Sequence, residues 1–320
     1  MMDRIAAIDI GTNTFRMLIA GRGGEWGFFP VARERNIVRL GEGSLLSKKI
    51  SDQALARGIY TLWGFAEKMK YHEVHTCSAV ATGVMRKAGN ASEFFERVKF
   101  ECGITVKVIS GEEEALLTLK GVELVFPEAK RNGAWIIFDI GGGSTELIYC
   151  EDGNVKIIES LDLGVITLAD RMYHDPPLNE ELEIIHDEIK RVLRPAIERI
   201  KSSLEDNRIF LVGTAGTVTT LAAMDQGLLQ YQPEKINGYI LRGNAVQEIF
   251  DRIILLREKE REELPGLEKG RGKVILPGCA VLLTMMEFFQ VERVSVSDFG
   301  ILEGIISEML VSLDSPEKLV

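Results

Sequence analysis

Ile8-Asp9-Ile10-Gly11-Thr12-Asn13-Thr14 closes a short apolar run, and Phe138-Asp139-Ile140-Gly141-Gly142-Gly143-Ser144-Thr145 repeats its plan later in the chain. Each stretch reads as a buried strand, an aspartate, a glycine turn with hydroxyls, and a returning strand. Arg4–Asp9 and Phe15–Ala20 form the first pair, Ala134–Asp139 and Glu146–Cys150 the second. A glycine turn exposes main-chain N–H groups and lets a phosphate approach the backbone closely. The hydroxyls of Thr12, Thr14, Ser144 and Thr145 would add donors. Either turn alone is satisfied by an ordinary hairpin. Two copies in one chain point instead to two domains of related topology.

Working outward, strand-like and helix-like segments alternate, which is the pattern of an α/β protein. Ser51 is placed to cap a helix carrying Leu55, Ile59, Leu62, Ala66 and Met69 at helical spacing. A strand near Val74–Val80, a helix over Ser92–Cys102 and an alternating strand over Ile104–Ile109 follow. The polar stretch Phe126–Gly133 contains Pro127 and Gly133 and marks the division between domains. This gives 1–127 and 128–300, with the helix 301–320 free to rejoin the first. Beyond the second turn the sequence predicts a helix over Glu180–Leu204, kinked or broken at Pro195. A strand over Ile209–Val212, a helix from Thr217, helices over Ala245–Glu263 and Lys273–Phe289, and a strand over Val294–Ser297 complete the second domain.

Composition bounds the function. Of 320 residues 46% are hydrophobic and 27% charged, as in ordinary globular proteins. No apolar run reaches the roughly 20 residues of a membrane helix, so no membrane role is expected. Cys77, Cys102, Cys150 and Cys279 are scattered, which suits a reducing cytoplasm; Cys77 reads as a small buried residue. The 38 basic and 48 acidic residues give a net charge of −10, against a nucleic-acid partner. Net charge describes the whole surface, however. A phosphate can still be held by turn amides, a helix N-terminus and a few local cations.

Three further stretches carry candidate chemistry. Val212-Gly213-Thr214-Ala215-Gly216-Thr217 runs from strand through a glycine turn into a helix, an arrangement that serves equally as an anion site or as a plain connection. In Ser110-Gly111-Glu112-Glu113-Glu114-Ala115, Ser110 and Glu113 fit a capping box. Glu114 is left beside the stripe Ala115, Leu116, Leu119 and Val122, where a carboxylate could act as a general base on water. Glu146 follows Asp139 by seven residues on the returning strand, so the two acids could share Mg²⁺, which takes few protein ligands. Asp9, ending the first strand, is a third metal candidate. Arg86, and Arg271 with Lys273, offer cations. His72 and His75 lie in a strand-like segment that would point them to opposite faces, a poor zinc pair.

The chain resembles the actin, hexokinase and heat-shock-chaperone ATPase superfamily, whose two phosphate motifs and adenosine motif match Asp9–Thr14, Asp139–Thr145 and Val212–Thr217 in order. More narrowly it resembles the Ppx/GppA family of exopolyphosphatases and guanosine pentaphosphate phosphohydrolases. The stretches that carry this are AAIDIGTNTFRMLIA, VRLGEG, ATGVMRKAGN, VISGEEEALLTLKGVE, FDIGGGSTELI, VGTAGTVTTLAA, RGKVILPG and VSDFGILEG, spread over residues 6–304. The resemblance implies two ribonuclease H-like domains around a cleft. It implies Mg²⁺-dependent release of the terminal phosphate of polyphosphate or of guanosine pentaphosphate. It places the catalytic glutamate at Glu114 and the metal and water-positioning acids at Asp139 and Glu146. Phosphate-binding residues would be Gly11, Thr12, Asn13, Thr14, Arg86, Gly141, Gly142, Gly143, Ser144, Gly213, Thr214, Gly216 and Thr217. Leu302 stands where the family's closing GLREG has arginine. The chain resembles the short members, which lack C-terminal helical domains, and leaves a homodimer open. Two other readings of the same residues are an ATP-dependent small-molecule kinase and a non-catalytic sensor of polyphosphate or guanosine pentaphosphate.

Overall fold

The computed structural model describes residues 4–42, 49–130, 133–204 and 209–314. The chain divides into two compact units, Met1–Leu124 with Gly300–Val320, and Val125–Phe299. Arg131 and Asn132 of the expected dividing stretch, Gly43 of the VRLGEG stretch and residues 315–320 of the expected last helix lie outside the described residues.

In the first unit, β1 (Arg4–Ile10), β2 (Thr14–Arg22) and β3 (Phe28–Ile37) form an antiparallel meander. β4 (Thr76–Ala81) and β5 (Val106–Val108) add in parallel on the other side of β1, giving the order β3-β2-β1-β4-β5. β1 is central and buried on both faces, so its sequence is a continuous apolar run rather than an alternation. The helices are α1 (Asp52–Tyr71), α2 (Ala91–Cys102) and α3 (Gly111–Val125). The Ser51 hydroxyl caps α1 by accepting the Ala54 N–H at 3.2 Å. Ile59, Leu62, Phe65, Phe94 and Val98 pack from α1 and α2 onto Ile8, Ile10, Phe15 and Met17.

The second unit repeats the plan. β6 (Ala134–Ile140), β7 (Thr145–Glu151) and β8 (Asn154–Leu161) form the meander, and β9 (Ile209–Thr214) lies parallel to β6. Its helices are α4 (Val165–Ala169), α5 (Asn179–Ser203), α6 (Ala215–Asp225), α7 (Pro233–Ile236), α8 (Gly243–Ile253), α9 (Glu258–Arg261) and α10 (Ile275–Phe289). Strands β10 (Ile240–Arg242) and β11 (Arg293–Val296) complete the order β10-β11-β9-β6-β7-β8. Both units therefore carry a ribonuclease H-like sheet, an antiparallel meander followed by parallel strands. The last helix, α11 (Ile301–Asp314), belongs to the first unit. Among the described residues no helix is long and apolar enough to cross a membrane.

Several expectations are corrected. The run Arg22-Gly23-Gly24 reads in the sequence as a hairpin turn and does lead from β2 into β3, whereas β8 and β10 carry no such signal; all three are edge strands, whose outer faces meet water and carry charges such as Arg33, Glu34, Arg35 and Lys156. The strand expected over Ile104–Ile109 shrinks to three residues. α5 runs on through Pro195 without a break. The single helix expected over Ala245–Glu263 is two, α8 and α9. Cys77 is exposed rather than buried. His72 ends α1, and β4 begins only at Thr76, so the His72–His75 segment is a turn rather than a strand. On α3, Leu117 and Thr118 are buried where Leu116 was expected, since Leu116 faces outward.

The start of α5 is held by one acid. Glu181 accepts N–H bonds from Leu178 at 2.9 Å and Tyr173 at 2.7 Å, with His174 Nδ1 at 3.1 Å. Burial alone would raise its pKa. The Leu178 and Tyr173 amides and His174 outweigh that and bring it from 4.5 to about 2. The folded-state pKa is thus depressed, so the stabilisation is complete above pH 4.5 and drains away as pH falls toward 2. Glu181→Ala is expected to cost about 1–2 kcal/mol at neutral pH. In melts taken from pH 7 downward, the gap between wild type and variant should close across that acid window. A gap independent of pH would contradict the assignment.

Candidate active site

The β1–β2 turn is pinned from several sides. Its Gly11 N–H donates to Thr14 O at 3.2 Å, and Asn13 O accepts N–H bonds from both Val38 and Arg39 at 2.9 Å. Thr12 O accepts the Gly41 N–H at 2.9 Å, and the Thr12 hydroxyl accepts the Val84 N–H at 3.0 Å. The β6–β7 turn is built alike: Gly141 N–H donates to Ser144 O at 2.9 Å. The carbonyls of Gly141 and Gly142 accept the Val165 and Ile166 amides of α4 at 3.0 and 2.9 Å. Among the described residues, the Thr12, Asn13, Gly142 and Gly143 N–H groups donate to no protein acceptor. A run of such amides is an anion-binding nest.

The same register position carries different chemistry in the two units. Asp9 lies opposite Arg16 across β1 and β2, and its Oδ2 accepts from Arg16 Nε at 3.0 Å and Nη2 at 2.6 Å. Asp139 lies opposite Glu146 across β6 and β7. Their exposures are only 6% and 1%, and Glu146 Oε1 accepts the Ser160 hydroxyl at 2.9 Å. Like charges directly opposite on a sheet repel. Two facing, buried carboxylates are stabilised by a cation, and oxygen donors in that number fit Mg²⁺, which completes its shell with water and phosphate oxygens. Where the first unit answers its aspartate with a guanidinium, the second offers a second acid.

Glu114 sits in the first turn of α3 and is 9% exposed. Arg86, at the end of a 3₁₀ turn over Gly83–Arg86 that follows β4, donates from Nη1 to Glu114 Oε2 at 2.6 Å. The structure thus brings together two residues the sequence singled out separately. Glu113 is accounted for by structure: it accepts the Ser110 N–H at 2.8 Å while its own N–H donates to Ser110 Oγ at 3.0 Å. The Lys107 ammonium, followed by the Ser110 amide, holds its carboxyl below the usual range.

Several hydroxyls expected to meet phosphate are spent on the main chain. Thr145 donates to Leu163 O at 2.5 Å, Thr214 to Phe299 O at 2.9 Å, and Thr217 to Ile140 O at 3.5 Å. Beside them, at the β9–α6 turn, lies a residue the sequence signalled only weakly. The Arg271 guanidinium presses on Gly216 so closely that a Cβ there would fall 2.1 Å from Nη2. Arg271 is buried and bonds to Glu268 Oε2 at 3.0 Å. Its proximity to the turn could not be read from spacing, because 54 residues of sequence separate positions 216 and 271. Leu302, at the family's usual arginine position, is buried. The neighbouring acid Glu303 instead accepts from Arg33 Nη1 at 2.8 Å and from the Gly300 N–H at 2.9 Å.

The profile of the Ppx/GppA phosphatase family matches residues 19–313. The protein named Exopolyphosphatase 2 from Mycobacterium tuberculosis is 33% identical over 319 residues, covering 95% of this chain and 98% of that relative. The crystal structure of an exopolyphosphatase from Cytophaga hutchinsonii superposes with a TM-score of 0.88 at 27% identity, over 97% of this chain and 98% of the other. A Ppx/GppA family member from Aquifex aeolicus gives 0.79 at 28% identity, over 98% and 99%. With the repeated sheet, the paired turns and these matches together, the chain belongs to the Ppx/GppA phosphatase family.

Proposed function

We propose that this protein releases the terminal phosphate of inorganic polyphosphate or of guanosine pentaphosphate by Mg²⁺-assisted attack of water. The observation that carries the reading is that two buried acids, Asp139 and Glu146, lie opposite each other across β6 and β7 beside a glycine turn whose Gly142 and Gly143 amides donate to no protein acceptor among the described residues. Asp139 and Glu146 would hold Mg²⁺, which supplies charge neutralisation to the phosphoryl oxygens. The Thr12 and Asn13 amides of one unit, and separately the Gly142 and Gly143 amides of the other, are nests suited to phosphate oxygens. Phosphoryl transfer needs in-line placement and charge neutralisation more than covalent chemistry, and fixed amides provide both without reorganising.

Glu114 accepts a proton from the attacking water. The water oxygen bonds to the terminal phosphorus, the bridging P–O bond breaks, and its electron pair leaves on the shortened chain. Arg86 fixes the Glu114 carboxylate through its bond at 2.6 Å. Arg271 adds a guanidinium at the N-terminus of α6, the end that favours anions.

Comparing phosphate release from long polyphosphate, guanosine pentaphosphate and ATP under Mg²⁺ tests the reading. Release from one of the first two, at a higher kcat/KM than from ATP, is expected; ATP consumption with transfer to an acceptor and no phosphate release would favour the kinase reading. Asp139→Asn is expected to raise the Mg²⁺ needed for half-maximal rate by roughly tenfold or more. An unchanged Mg²⁺ dependence would remove Asp139 from the metal site.

A further inference from the structure

A cavity of about 820 Å³ opens at the other end of the second unit's sheet, lined among others by Arg242, Arg293, Asn244, Glu292, Ile209 and Ile240. It is remote from the β9–α6 turn. Ile209 starts β9 and Thr214 ends it, which separates them by about 16 Å at the usual strand rise. Arg242 and Arg293 are direct partners across β10 and β11. Among the described residues neither makes an ion pair or a side-chain hydrogen bond. Two like charges placed opposite on a sheet cost stability unless something answers them.

A third feature faces the same space. Arg242 is the N-cap residue of α8, and no side chain caps that helix. The Gly243 N–H is satisfied by Glu292 O at 2.9 Å, so the Asn244 and Ala245 amides remain for an outside acceptor. Among the described lining residues Glu292 is the one acid and does not balance two guanidiniums and a helix N-terminus. Arginine's fork suits phosphate oxygens, and the cavity is large enough for several phosphoryl groups.

The geometry points to a second anion site here, taking a multiply charged phosphate compound between Arg242 and Arg293 with its oxygens on the first turn of α8. It stands apart from the active-site reading and uses none of its residues. The chemistry is shared by free inorganic oligophosphate and by a nucleoside triphosphate, whose base could lie on Ile209 and Ile240.

The test is hydrogen exchange of the wild-type protein and of the R242Q/R293Q double variant, without divalent metal, with inorganic triphosphate or ATP added. Exchange over residues 240–248 is expected to slow at least threefold in the wild type with one or both compounds and to be unaffected in the double variant. The compound that acts at lower concentration identifies the source. The double variant should melt at or above the wild-type temperature without ligand, because it removes the opposed charges, and should keep its phosphate-release rate. No slowing over 240–248 with either compound, or equal slowing in the double variant, would overturn the proposal.

Discussion

Glu114→Gln is expected to lower the rate of phosphate release by roughly 10²–10⁴-fold, the range typical for removal of a general base. The substitution keeps the shape of the side chain and one acceptor oxygen, and removes its negative charge and its ability to take a proton. Arg86 Nη1, now 2.6 Å from Glu114 Oε2, can still donate to an amide oxygen. The cap of α3 is untouched, since Ser110 and Glu113 supply it. Melting temperature and polyphosphate affinity should therefore stay close to those of the wild type while kcat falls. Activity within a few-fold of wild type would exclude Glu114 as the base. Loss of binding in step with loss of turnover would show that it holds substrate instead.

Gly304→Ala is expected to destabilise the protein by about 3 kcal/mol, through overpacking at a backbone contact. Gly304 lies on α11 and meets α3: a Cβ at this position would stand 1.9 Å from the Leu117 carbonyl oxygen. From the other side, a Cβ on Gly121 would stand 2.0 Å from Gly300 O. Neither obstacle is a side chain that can swing away, so the helices must separate. α3 is the element that carries Glu114, and the first unit would lose rigidity where the proposed base is anchored. At roughly 2–4 °C per kcal/mol for a domain of this size, the melting temperature should fall by about 6–12 °C. A shift of a degree or less would mean that the two helices pack less closely than described.

Much of this was legible in the sequence because the deciding features are local. Central strands such as β1 and β6 are buried on both faces and announce themselves as apolar runs, and the glycine turns that follow them are written out twice. Ser110 and Glu113 were readable as a cap because a capping box acts within four residues. Edge strands β8 and β10 escape because one face meets water and the apolar signal is diluted by charge. Pro195 signals a break in the sequence because it removes one helical hydrogen bond; the apolar face of α5, with Ile185, Ile189, Leu193, Ile197 and Ile200 all buried, outweighs that loss.

The site itself was legible in its residue types and less so in its pairings. Glu114 and Arg86 were each marked, but their ion pair joins an element after β4 to one after β5. Asp9 and Asp139 look equivalent in sequence. Only the cross-strand register separates them, by setting Arg16 against one and Glu146 against the other. Thr145, Thr214 and Thr217 looked like phosphate ligands because a hydroxyl beside a glycine turn is an available donor; burial directs each to a carbonyl instead. Arg271 against Gly216 is a tertiary contact with no local signature.

The most direct test of the central claim is hydrolysis of long-chain polyphosphate with Mg²⁺ in ¹⁸O-labelled water. Attack of water on the terminal phosphorus predicts one solvent oxygen in every orthophosphate released and none in the remaining chain, with both products lost in Glu114→Gln. Label in the remaining chain, or no phosphate released while Mg²⁺ and polyphosphate are both present, would contradict it.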